Sequence, residues 1–198
     1  MEEHHAREDL RFIREMLEET RRTVADNGMH YINWSIMPAL GIIGTYVVLI
    51  TGIPSIYVLW IWGLAVGLGW VFSYLIGRRQ TSDKRPSFAD RVLVSVWVAA
   101  GIAMMIIAFG GMISGAFSPQ VIPALMAVIM GVPFLTAGLL YDLNWFRLIS
   151  VGWWIAGIAF FFWDSVHTLA ALGVLLVLLQ AAPGIYLYKT YRTRPVHP

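Results

Sequence analysis

No cysteine occurs anywhere in the 198 residues, which excludes a disulfide framework, a thiolate metal site and a thiol nucleophile together. Charge is nearly as scarce. Charged residues make up 13% of the chain and hydrophobic ones 58%, where a soluble domain carries about a quarter and about half. The few charges cluster in residues 1–28, 78–91 and the tail from Lys189, and Asp142, Arg147 and Asp164 stand at the ends of apolar runs. None lies deep inside one, so the buried carboxylate that marks proton-coupled or sodium-coupled transport is missing. Catalytic signatures are missing too. Ser114, in Gly111-Met-Ile-Ser-Gly115, lacks the glycine two positions earlier that rhomboid-like proteases carry, and Tyr141-Asp142 has no Gly-x-Gly-Asp counterpart. No His-Glu-x-x-His or phosphate-binding loop appears. The chain therefore reads as a non-enzyme, with no catalytic, cofactor-binding or metal-binding residue to assign and no cofactor implied. The opening MEEHHARED is acidic and polar, so no cleavable signal is expected and the first apolar run is read as the insertion signal.

What is present is length of apolar sequence. Crossing a hydrocarbon core of about 30 Å takes about 20 residues of helix, and six segments meet that need, near 29–51, 55–77, 92–115, 119–141, 145–163 and 166–188. The expected fold is all-α, a polytopic membrane bundle of six transmembrane helices (29–188), with a leading segment 1–28 and a tail 189–198. All fourteen lysines and arginines fall before the first run, between the second and third, beside the fourth-to-fifth turn, or after the sixth. Cationic residues are retained on the cytoplasmic side, so both termini are placed in the cytoplasm. That partition also accounts for the net charge of +2 without a nucleic-acid surface. Tyr31, Trp34, Tyr74, Trp145, Tyr186 and Tyr188 on one side, and Tyr57, Trp60 and Trp163 on the other, fit interfacial belts. Trp70, Trp97, Trp153 and Trp154 lie deeper, either as core or lining an aromatic cavity.

Residues 6–26 read as an amphipathic helix closed by Asn27-Gly28. Leu10, Ile13, Leu17 and Val24 form its apolar stripe. Acids outnumber arginines there, unlike a helix that lies on anionic lipid, so this stripe is the candidate cytoplasmic interaction face. Its partner is the same helix of a second copy or the inner ends of the bundle.

Three further sets of residues stand out. Asp164, His167 and Thr168 form an outer polar cluster, in which a carboxylate three residues from an imidazole suits a sensor and Asp before Ser suits a simple helix cap. Pro38, Pro133, Gln180 and Pro183 mark helix breaks that could border a cavity, since proline leaves an upstream carbonyl unbonded. Gly63/Gly67 and Gly111/Gly115 are small-residue pairs that permit close helix contact. Asn33, Thr45, Ser95, Thr136 and Ser150 are expected to hydrogen-bond across helices. Ile36-Met-Pro-Ala-Leu40 is echoed by Val121-Ile-Pro-Ala-Leu125, which would fit a 3+3 inverted repeat.

The segment DLRFIREMLEE, the following DNG, His30-Tyr-Ile-Asn-Trp34 and Ala182-Pro-Gly-Ile-Tyr186 together resemble an uncharacterised group of small bacterial inner-membrane proteins. That resemblance implies a multi-pass protein of a bacterial inner membrane and supplies no activity. The expected role is a non-enzymatic oligomeric or accessory module of a membrane assembly, its partners the lipid bilayer and a second copy or another membrane protein. The competing expectation is a small transporter or channel for an uncharged or apolar solute.

Overall fold

Backbone polar groups in lipid must be bonded within their own segment, and an apolar run of this length achieves that as an α-helix. A computed structural model describes residues 28–79, 88–116, 118–163 and 165–192, and among them there are helices and turns but no strand. Six rods follow in order. α1 is Gly28–Thr51 and α2 is Ile56–Arg79. α3, Phe88–Met105, runs on through a π turn, Ile106–Gly110, to Gly111–Ser114. α4, Ile122–Leu140, is led in by a 3-10 turn, Pro119–Val121. α5 is Asn144–Phe161. α6 runs from His167–Leu176 through a π turn, Val177–Ala181, into Ala182–Arg192.

Five of these rods are long and apolar enough to cross a membrane, and they make this a membrane protein. The exception is α5, expected as the fifth span. Its 18 residues reach about 27 Å, and they open on Asn144 and Arg147 and include three tryptophans, so both length and apolarity fall at the margin. α3 begins earlier than its apolar run because Asp90 is accommodated in its first turn, where a carboxylate meets the positive end of the helix dipole. Gly115 is the left-handed C-cap of α3, φ +63°, its N–H bonded to the Gly111 carbonyl, so the Gly111/Gly115 pair spans the end of a helix, Gly111 buried and Gly115 exposed. The leading amphipathic segment, with Leu10, Ile13, Leu17 and Val24, lies outside the described residues, as does Asp164.

Lipid tails are as apolar as leucine, so helices in a bilayer are held by close packing and hydrogen bonds more than by removal of apolar surface from water. The α4/α5 hairpin shows how. Trp154 lies over Gly131, where a Cβ would collide with the indole nitrogen, and that nitrogen donates to the Val128 carbonyl at 3.1 Å. A Cβ on Gly157 would stand 2.8 Å from Val128 Cγ2. α3 rests on α4, and α6 packs against the hairpin. α1 joins through Gly28 and Gly184, each of which approaches the other's carbonyl so closely that a Cβ would lie 2.9–3.0 Å from it. Half of the apolar window of α4 is buried, against 17% for α2 and 11% for α3, so α4 is the hub and α2 and α3 are its most exposed rods. Where α1, α3, α4 and α5 meet lies a ring cluster, Tyr31 with Trp97, Phe134 and Phe146, centroids 5.5–5.7 Å apart. Each such pair adds about 0.5–1.5 kcal/mol beyond the area it covers.

Candidate functional site

The candidate polar groups lie at the two ends of the bundle and around Gln180 in its core. At the end without lysine or arginine, Ser165 organises the start of α6. Its hydroxyl accepts the His167 N–H at 3.2 Å, and its carbonyl accepts the Thr168 hydroxyl at 2.7 Å. Thr168 is fully buried, so of the expected outer cluster it is the structural member. His167 is exposed, and its Nδ1 lies 2.9 Å from the hydroxyl of Tyr46 on α1, the rings 5.9 Å apart. Sequence reasoning misses Tyr46 because the pair is separated by 121 residues and nothing local distinguishes a tyrosine in an apolar helix.

Below this pair the surfaces of α1 and α6 form an apolar groove of ≈ 400 Å³, lined by Ala39, Ile43 and Tyr46 on one side and Ala170, Val174 and Leu178 on the other. Its far end abuts the π turn of α6.

In the core the π turn carries Gln180 inward, only 1% exposed. Its amide nitrogen is 3.5 Å from the Tyr31 carbonyl, while Gln180 Oε1 and Trp153 Nε1 are buried without a partner. Ala182 N–H reaches back five residues to the Val177 carbonyl, so the chain meets Pro183 with the helix already rewound around it. Pro183 and Pro133 are buried and Pro38 is half-buried. Phe134, next to Pro133, and Tyr31, whose carbonyl faces Gln180, both belong to the ring cluster. Of the deep tryptophans, Trp97 and Trp153 are core, whereas Trp70 is 62% exposed and meets Trp34 edge-on.

At the charged end the contacts are local stitches. His30 Nδ1 is 3.0 Å from the Ser73 hydroxyl, which also accepts the Trp34 indole N–H at 3.3 Å, tying α1 to α2. Asn33 adds a buried bond to the Gly69 carbonyl at 2.9 Å. Arg147 spreads its guanidinium over the α4/α5 turn, donating to Gly138 O, Asn144 Oδ1 and Asp142 Oδ1 at 3.2, 2.8 and 2.6 Å. Asp142 takes φ +50° there, a conformation that Asp tolerates better than most residues. Tyr141, one residue past α4, donates to Asp90 at 2.8 Å. Burial, and then the neighbouring carboxylate, push its hydroxyl up from the ordinary phenol value and hold it protonated.

Two imidazoles meet hydroxyls, His30 with Ser73 and His167 with Tyr46, and among the described residues no three histidine or carboxylate groups come together as a metal cluster. The arrangement offers hydrogen bonds and apolar surface. No protein-family model matches the chain, and no curated protein or solved structure matches it either.

Proposed function

We propose that the chain is a non-enzymatic module of a bacterial inner membrane, crossing it six times with both ends in the cytoplasm, and that it self-associates through the outer face of α2. One observation carries this reading. Gly63 and Gly67 are exposed one helical turn apart, and a Cβ on either would meet nothing within 4 Å, whereas Gly41, Gly44 and Gly69 in the same hairpin each face a side chain. Glycine weakens a helix by about 1 kcal/mol relative to alanine, and on a lipid-facing surface no contact within the chain offsets that. A second backbone approaching along the pair does. Trp60 and Leu64, both more than 60% exposed, flank the pair and supply the surrounding contact surface. α5 completes the sixth crossing because Asn144 and Arg147 sit in its first turn, at the end where the other basic residues lie.

Transport of an uncharged solute between α1, α4 and α6 has less support, since aromatic rings fill the region of Pro133 and Gln180. The matching segments of a 3+3 repeat also differ in place: Pro38 lies ten residues into α1, and Pro123 is the second residue of α4.

The absence of cysteine gives a clean test. Gly63→Cys, oxidised in native membranes, is expected to yield a disulfide-linked dimer that Gly67→Leu abolishes, while Ile155→Cys on the exposed side of α5 stays monomeric. Equal crosslinking at positions 63 and 155, or none at 63, would refute association through α2.

A further inference from the structure

We infer that the groove between α1 and α6 binds a single-tailed membrane quinone, its head ring at the Tyr46–His167 pair and its tail along the two helices. The site is separate from the α2 face, so the two readings stand or fall independently. The groove's volume of ≈ 400 Å³ lies within the ~300–1,000 Å³ of ligand sites. From Ala170 to Leu178 it follows eight residues of α6, about 12 Å. One groove bounded by two helices suits one tail.

The mouth selects the head. A neutral imidazole carries one proton. When the Tyr46 hydroxyl donates to Nδ1, across the 2.9 Å recorded, that proton sits on Nε2. An exposed N–H donor at the edge of the groove then requires an acceptor on the ligand. The loops at this end, residues 52–55, 115–118 and 162–166, contain no lysine or arginine, and their one charge is Asp164. A phosphate or carboxylate head finds no lysine or arginine in these loops to pair with. An uncharged carbonyl on a flat ring, able to lie against the Tyr46 and His167 rings, meets each of these conditions.

The test uses the full chain in phosphatidylcholine nanodiscs, with a benzoquinone bearing a ten-carbon tail, measuring retention over empty nanodiscs by dialysis. Wild type is expected to retain the quinone saturably. Val174→Trp, which fills the groove, abolishes saturable retention, while Ile155→Trp, on the exposed side of α5, leaves it intact. His167→Leu weakens binding about tenfold, the effect of one lost hydrogen bond, and His167→Gln, which keeps a donor, recovers most of it. Tyr46→Phe frees the imidazole tautomer and weakens binding less than His167→Leu. Four results would each overturn the proposal: retention no greater than by empty nanodiscs, retention unchanged in Val174→Trp, displacement of the quinone by an equal concentration of palmitate, or a Val174→Cys disulfide dimer showing that a second copy covers the groove.

Discussion

In the α4/α5 hairpin the Trp154 indole lies over Gly131 and donates to Val128 at 3.1 Å. In the α1/α2 hairpin the same parts recur, with the Trp62 ring 3.4 Å from a Cβ on Gly41 and its nitrogen donating to Thr45 at 3.0 Å. From there the hairpins diverge. Of the remaining glycines of α4/α5, Gly138 and Gly157 are closed over by Arg147 and Val128 and Gly152 meets Leu179 of α6, while Gly63 and Gly67 of α2 face outward. The difference separates two tasks that hydropathy cannot tell apart, locking two helices to one another and embedding the pair in a bundle. Both hairpins are locked, and only α4/α5 is embedded.

Gly131→Ala is the sharpest way to break the comparison. A methyl there displaces the Trp154 ring from its seat on α4, an overpacking cost of about 3 kcal/mol, measurable by unfolding in increasing SDS; Gly63→Ala in α2 should change monomer stability by no more than about 1 kcal/mol. Gly184→Ala should come next, near 2 kcal/mol, because the atoms it meets are the Gly28 carbonyl and Tyr31 Cβ, which cannot swing aside as a side-chain tip can. The smallest effect comes from the indole bonds. Trp154→Phe and Trp62→Phe should each cost about 0.6 kcal/mol, but hydrogen exchange should accelerate in α2 for Trp62→Phe and in α4 and α5 for Trp154→Phe. Exchange spreading equally through both hairpins would mean that α2 is embedded after all.

Much of this fold was legible in the apolar runs, because 20 residues without charge leave few alternatives in lipid. α5 was less so, since Asn144 and Arg147 depress its apolarity in the first turn while the guanidinium finds three acceptors in the turn beside it. Spacing alone could not rank the glycines: Gly63/Gly67 and Gly111/Gly115 share a pattern, yet one pair lies on an open face and the other ends a helix. The partner of His167 was invisible for a similar reason. Tyr46 is 121 residues away in sequence and adjacent in space, and only helix packing decides which residues meet. The Asn33 and Thr45 bonds to α2 followed the rule that polar groups in lipid find partners, whereas Ser95 and Thr136 turned back on their own helices.

The π turn of α6 works as a phase corrector, and it makes one residue of that helix dispensable to the packing of the bundle. Thr168 and Leu187 are both fully buried. They lie 19 residues apart, which in an unbroken α-helix would turn Leu187 about 100° away from Thr168. One extra residue wound into a turn absorbs about that angle and brings the two onto the same side. Deleting Leu178, which is 58% exposed, would straighten Val177–Ala181 into ordinary helix and leave both flanks facing as before. Deleting Ile185 would rotate Leu187 outward. The first protein should purify monodisperse with a near-native melting temperature and the second should not, so α6 carries in its middle a residue that serves neither the bilayer's thickness nor the bundle's core.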